Sequence, residues 1–227
     1  LKLKGIIFDM DGLLVDTERY WQCAEISIFS QLGVSLTIKD CEKVMGLRCN
    51  EVVEIWKNRF LLTEDTTTLV DRIENEVIKM VMEEPSVLPG VINLLNLCRA
   101  LHLKVALCSS SSSKVIRGVL TASHLLNQFD LLVSAESEPF GKPHPGAYIT
   151  TLKEMQTSFL ETIVFEDSIN GILAAKSAKI PVIAVPNQLP KTDPRFGIAD
   201  IVIDSLNEVT KEWLTNFLKQ LPFPLHL

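Results

Sequence analysis

The sequence predicts an α/β fold, a doubly wound parallel sheet interrupted near its start by an all-helical insert. Two observations lead there. Short, uninterrupted apolar runs alternate with stretches of helical periodicity over much of the 227 residues, and between residues 16 and 85 no strand-like run occurs at all.

The first run, Gly5-Ile6-Ile7-Phe8, lacks the alternation of a strand with one wet face, so it reads as buried on both sides of a parallel sheet. Leu103 to Cys108, Leu131 to Val133, Thr162 to Phe165 and Pro181 to Val185 repeat the pattern, each next to a helical stretch. In the intervening insert, Trp21, Ala24 and Ile28 share one helical face and Leu69, Ile73, Val77 and Met80 another, which predicts that the insert has its own core. Asp16-Thr17 offers a helix N-cap at its start, and Pro85 with Pro89-Gly90 marks the return to the sheet, so a hinge is expected at the two crossings. Leu221 to Leu225, with two prolines, reads as an extended terminus.

With 47% hydrophobic residues the chain can bury a substantial core. A formal charge of -6 argues against a surface that neutralises nucleic acid or an anionic membrane. The five cysteines are odd in number and include no Cys-x-x-Cys pair, so neither a disulfide framework nor a zinc knuckle is expected and a reducing cytoplasm fits. Asp9 and Asp11 break the N-terminal apolar stretch before it reaches signal-peptide length, and no run approaches the roughly 18 residues of a membrane span. The four histidines have no ligand spacing, and no Gly-x-Gly-x-x-Gly follows the first strand, which disfavours zinc chemistry and nicotinamide binding.

The chemistry-bearing residues fall where strands should end. Asp9 and Asp11 follow the first strand, and alternation along an extended chain would turn both side chains to one side, at the sheet edge where ligands of open α/β sheets bind. Taken alone, such acids also serve as caps of a following helix. Ser109 and Ser110, after the second run, supply hydroxyls and backbone N–H groups near a helix start, equipment for a phosphate that is equally compatible with an N-cap. Lys142 stands in a loop stiffened by Pro143 and Pro145, ahead of a helix near Gly146. Glu166-Asp167 place hard oxygen ligands, suited to magnesium, after the Thr162–Phe165 run, although Asp167 or Ser168 could instead cap the next helix.

Together, Asp9-Met10-Asp11-Gly12, Ser109, Lys142-Pro143 and Glu166-Asp167 resemble the four ordered motifs of the haloacid dehalogenase superfamily of phosphotransferases. The insert after the first strand is similar to the cap of its beta-phosphoglucomutase-like subfamily. Phe8 to Leu14, Gly46-Leu47-Arg48 with Val52 to Trp56, and Asp193-Pro194-Arg195-Phe196 look like bacterial phosphatases active on 2-deoxyglucose 6-phosphate and hexitol phosphates.

The resemblance implies a Rossmann-like catalytic core over residues 1–15 and 86–227 and a helical cap domain over 16–85. It implies that Asp9 is the nucleophile, forming an aspartyl-phosphate, and that Asp11 is the general acid and base. Ser109, Ser110 and Lys142 would bind phosphate. Mg2+ would be held by Asp9, the Asp11 carbonyl and Asp167, with Glu166 as a further candidate. The expected partner is a small phosphorylated sugar or sugar alcohol, with Arg48 as the leading cap contact, and the expected state is a monomer. Trp21 stands where the mutases carry a hinge histidine, which favours hydrolysis over mutase chemistry. Asp11 argues against dehalogenation, since a halide needs no proton, and retention of Asp9, Asp11 and Lys142 argues against a non-catalytic binding module.

Overall fold

The structure, a computed structural model, describes residues 2–227. Six strands, β1 (Gly5–Phe8), β2 (Lys104–Ser109), β3 (Leu131–Ser134), β4 (Thr162–Glu166), β5 (Val182–Ala184) and β6 (Ile201–Val202), form one parallel sheet in the order β3-β2-β1-β4-β5-β6. All but β6 coincide with the apolar runs. The two residues of β6 are too few to carry a pattern, and they join the sheet by pairing Ile183 with Ile201 and Ala184 with Val202. Burial explains the run composition: Ile6, Ile7, Phe8, Val164 and Phe165 are wholly inaccessible, and Phe8 stacks on Phe165 of the adjacent strand at 5.3 Å.

The strand order reverses direction at β1, with β2 on one side and β4 on the other. Chains leaving neighbouring strands at such a switch point diverge to opposite faces of the sheet and open a crevice at its carboxyl edge. Asp9 and Asp167 follow the two strands that border it.

Between β1 and α5 (Val91–Ala100) lie α1 (Glu18–Ser30), α2 (Ile38–Cys41), α3 (Cys49–Phe60) and α4 (Thr66–Glu83). The predicted stripes are buried, Ala24 and Ile28 on α1 and Leu69, Ile73 and Val77 on α4. Their apolar surface is not a separate core, however. It runs continuously into the residues that cover the sheet, because α4 packs against α6 (Ser113–Ala122), where Gly118 lets Ile78 approach closely. Trp21 also departs from expectation, since it is only half-buried and borders a cleft.

The two crossings are tied to each other. The Asp16 N–H donates to the Ser86 carbonyl at 2.8 Å, and Leu88 N–H donates to the Leu14 carbonyl at 2.9 Å. The C-terminal segment after α9 (Lys211–Gln220) returns to the start of the chain, with Leu3 N–H donating to the His226 carbonyl and Leu225 buried.

Gly90 tests how tightly the return crossing is packed. Its φ is +90°, and a Cβ there would lie 2.2 Å from the Asn207 backbone nitrogen. Gly90→Ala is therefore expected to cost about 1–3 kcal/mol through backbone strain and displacement of the Leu206–Asn207 segment, read from the urea midpoint.

Candidate active site

At the carboxyl edge of the sheet a cation is buried between two anions. Lys142 is 2% exposed, and its Nζ donates to Asp9 Oδ1 and Glu166 Oε1, each at 2.6 Å, and to the Cys108 carbonyl at 3.1 Å. Three strands thus meet at one ammonium: β1 through Asp9, β2 through Cys108 and β4 through Glu166. Glu166 is held from every side. Its Oε1 also accepts the Tyr148 hydroxyl at 2.7 Å, and its Oε2 accepts the backbone N–H and hydroxyl of Ser168.

Burial resists charge on Lys142, yet the neighbouring carboxylates of Asp9 and Glu166 raise its pKa well above the usual lysine value. For Asp9 the balance is different. Desolvation outweighs the attraction of Lys142 and, with repulsion from Glu166 and Asp11, lifts its pKa from 3.8 to about 7. Asp167 is pushed well above the ordinary carboxylate range by burial and then by Asp9.

These carboxylates fit a divalent cation. Ligand atoms from Asp9, Glu166 and Asp167 lie within 4.8 Å of one another, and Asp167 Oδ2 is buried with no hydrogen-bond partner. Three carboxylates against the single Lys142 ammonium leave two negative charges, which one Mg2+ would offset. Glu166, proposed from sequence as a possible ligand, is one of this group, and its oxygens also accept from Lys142, Tyr148 and Ser168, so that it holds the lysine in place. Gly12 lets the loop approach Asp167: its φ is +74°, and a Cβ would come 2.3 Å from Oδ2.

Asp11 is oriented by four donors. Oδ1 accepts the Thr17 hydroxyl at 2.6 Å and the Trp21 indole N–H at 3.0 Å, while Oδ2 accepts the Ser109 hydroxyl at 3.2 Å and the Ser111 hydroxyl at 2.7 Å. Thr17 is the N-cap residue of α1, but its hydroxyl makes no cap bond and serves Asp11 instead. Thr17, Trp21 and Ser111 were not anticipated as partners of Asp11. The available signal was spacing, since Thr17 and Trp21 lie four apart, one turn along the same helix face.

Ser110 borders the cleft, and its hydroxyl donates to the Gly46 carbonyl at 2.9 Å, joining the insert to the sheet edge. Arg48 is not brought to the cleft. Its guanidinium donates to the carbonyls of Ala135 and Glu138 and pairs with Glu51 at 2.7 Å, so it ties α3 to the loop leading to Lys142. The expected sugar contact is therefore not seen: Arg48 is absent from the cleft wall, and its terminal nitrogens bond to Glu51 and to the two carbonyls.

Asp9, Asp11, Ser109, Ser110, Lys142 and Asp167 all line one cleft, together with Glu18, Trp21, Gln22 and Glu25 from α1. Removing Lys142 would leave buried carboxylates uncompensated. Lys142→Met is expected to lose about 3–5 kcal/mol in metal-free buffer. The unfolded Asp9 ionises near 3.8 and the folded one near 7, so folding loses stability as pH rises between those values. Without Lys142 that loss extends to higher pH, and the deficit in urea midpoint is expected to be larger at pH 8 than at pH 5.

The model of the haloacid dehalogenase-like hydrolase family matches residues 6–185. The chain is 37% identical to hexitol phosphatase B of Escherichia coli over 211 residues, covering 92% of this chain and 95% of that one. It is 29% identical to a phosphorylated carbohydrates phosphatase of Thermotoga maritima, covering 78% and 82% of the two chains. The beta-phosphoglucomutase of Clostridium difficile superposes with a TM-score of 0.83 at 24% identity, over 95% of this chain and 96% of that one, which shows the shared fold. From the sheet's switch point, its site and these matches together, the chain belongs to the haloacid dehalogenase-like hydrolase family.

Proposed function

We propose that this chain is a Mg2+-dependent phosphatase of small sugar or sugar-alcohol phosphates, with Asp9 as nucleophile. The observation that carries the reading is the pairing of Asp9 with the buried Lys142 at the switch point, beside an Asp167 oxygen that has no partner. The hexitol and carbohydrate phosphatases similar to this chain support the substrate class.

Asp9, the Asp11 main-chain carbonyl and Asp167 would hold the metal. When bound, Mg2+ supplies positive charge against the phosphoryl oxygens and keeps the carboxylates ionised. Lys142 adds fixed positive charge from the other side, which offsets the repulsion between an attacking carboxylate and a phosphate dianion. A carboxylate oxygen of Asp9 attacks phosphorus, and the bond to the sugar oxygen breaks as Asp11 delivers a proton to it. Asp11 then takes a proton from water, the resulting nucleophile attacks the aspartyl-phosphate, and inorganic phosphate leaves with Asp9 restored.

Hydrogen bonding supports the double role of Asp11. The hydroxyls of Thr17, Ser109 and Ser111 can each reverse direction and accept from a protonated Asp11, whereas the Trp21 indole only donates and anchors the carboxylate in place.

Purified protein is expected to release phosphate from hexitol and hexose 6-phosphates in Mg2+, and to lose that activity in a chelator and regain it on metal addition. Asp9→Asn should lower kcat by about 10³-fold or more, and Asp11→Asn by about 10²–10⁴-fold, the range typical of lost proton transfer. Undiminished turnover by Asp9→Asn would overturn the nucleophile assignment.

A further inference from the structure

Helix α1 presents a polar face to the cleft. Glu18, Trp21, Gln22 and Glu25 follow the three-and-four spacing of one helix side, and all four line the same cavity as Asp9 and Asp11. Glu18 is only 9% exposed, and no hydrogen bond steadies its carboxylate. Its carboxyl lines the cleft without a protein hydrogen-bond partner, so a ligand hydroxyl there can supply one. Glu25 is 7% exposed and held in position by the Trp56 indole N–H at 3.3 Å from Oε2.

The rest of the insert's wall, from Cys41 and Val44–Leu47 to Cys49 and Val52, carries no charge near neutrality. The cleft's single cation is Lys142, and its donors are committed to Asp9, Glu166 and the Cys108 carbonyl. The phosphoryl end of the cleft is therefore provided with positive charge, and the leaving-group end with none.

We infer that Glu18, Gln22 and Glu25 determine specificity, hydrogen-bonding the hydroxyls of an uncharged polyol and offering no cation to any second anionic group on the substrate. The inference rests on the phosphatase reading and deepens it: phosphate esters of neutral polyhydric alcohols are selected, and esters whose far end carries a carboxylate or another phosphate are rejected. Acceptors without cations satisfy hydroxyl donors, while an added anion would lose water without gaining a partner.

Two ligands separate the terms, a six-carbon alditol 6-phosphate and the aldonic acid 6-phosphate of the same chain length, which differ by one terminal carboxylate. Affinities are measured by calorimetry in Mg2+ on Asp9→Asn, in which the ester stays intact. The alditol ester is expected to bind about tenfold or more tightly, and Gln22→Lys in the same background to reduce that ratio to about threefold or less, by placing a cation in the wall. Equal affinities, or binding of neither ester, would overturn the inference, and so would a ratio that Gln22→Lys leaves unchanged. The first comparison needs no change in the insert and decides by itself. Absence of hydrolysis by the unmodified chain counts against the phosphatase reading, while the affinity ratio still decides the inference.

Discussion

The ammonium of Lys142, buried between Asp9 and Glu166, is the interaction on which the rest of the site depends. A lysine so far from water persists only if anions surround it, and those anions persist only because the lysine is there. With its three carboxylates ionised the cluster would carry more negative than positive charge, an excess that a divalent cation would offset. Burial leaves Asp9 with a pKa near 7, so its ionisation is poised for a change in local charge, and added positive charge beside it would favour the carboxylate needed for attack.

The sheet makes this cluster possible. Asp9, Cys108 and Glu166 come from parts of the chain more than fifty residues apart, and parallel pairing in register brings their strand ends side by side. Pairing of Phe8 with Leu107 and with Phe165 leaves each following residue at the same edge. Glu166 does not touch the cleft, yet it positions Lys142, with Tyr148 and Ser168 fixing it in turn. The insert closes the other side, held to the sheet edge through Ser110, Asn170 and Arg48, each donating across to a backbone carbonyl.

Much of this was legible in the sequence because strand ends are. Uninterrupted apolar runs mark strands buried on both faces, and Asp9, Asp11, Ser109, Lys142 and Asp167 stand after or near them, so position alone suggested a common edge. What could not be read was the direction of side chains that have two plausible partners. Thr17 has the chemistry of an N-cap and turns to Asp11 instead. Trp21 shares a stripe with Ala24 and Ile28 yet sits at its margin, where an indole can bury its rings and still reach a carboxylate with its N–H. Arg48 has five donors, and nothing local shows that backbone carbonyls some ninety residues away will engage its Nη1. The insert's stripes correctly marked buried faces, but periodicity does not say against what a face is buried, and α4 meets α6 as well as its own neighbours.

The central claim is that Asp9 becomes covalently phosphorylated. The most direct measurement is acid quench of the protein during turnover of a hexitol 6-phosphate with Mg2+, followed by borohydride reduction and peptide mass spectrometry. Reduction of an aspartyl-phosphate yields homoserine, and the account predicts that product at position 9 and nowhere else. Its absence during active turnover, or its appearance at Asp11 or Asp167, would contradict the account.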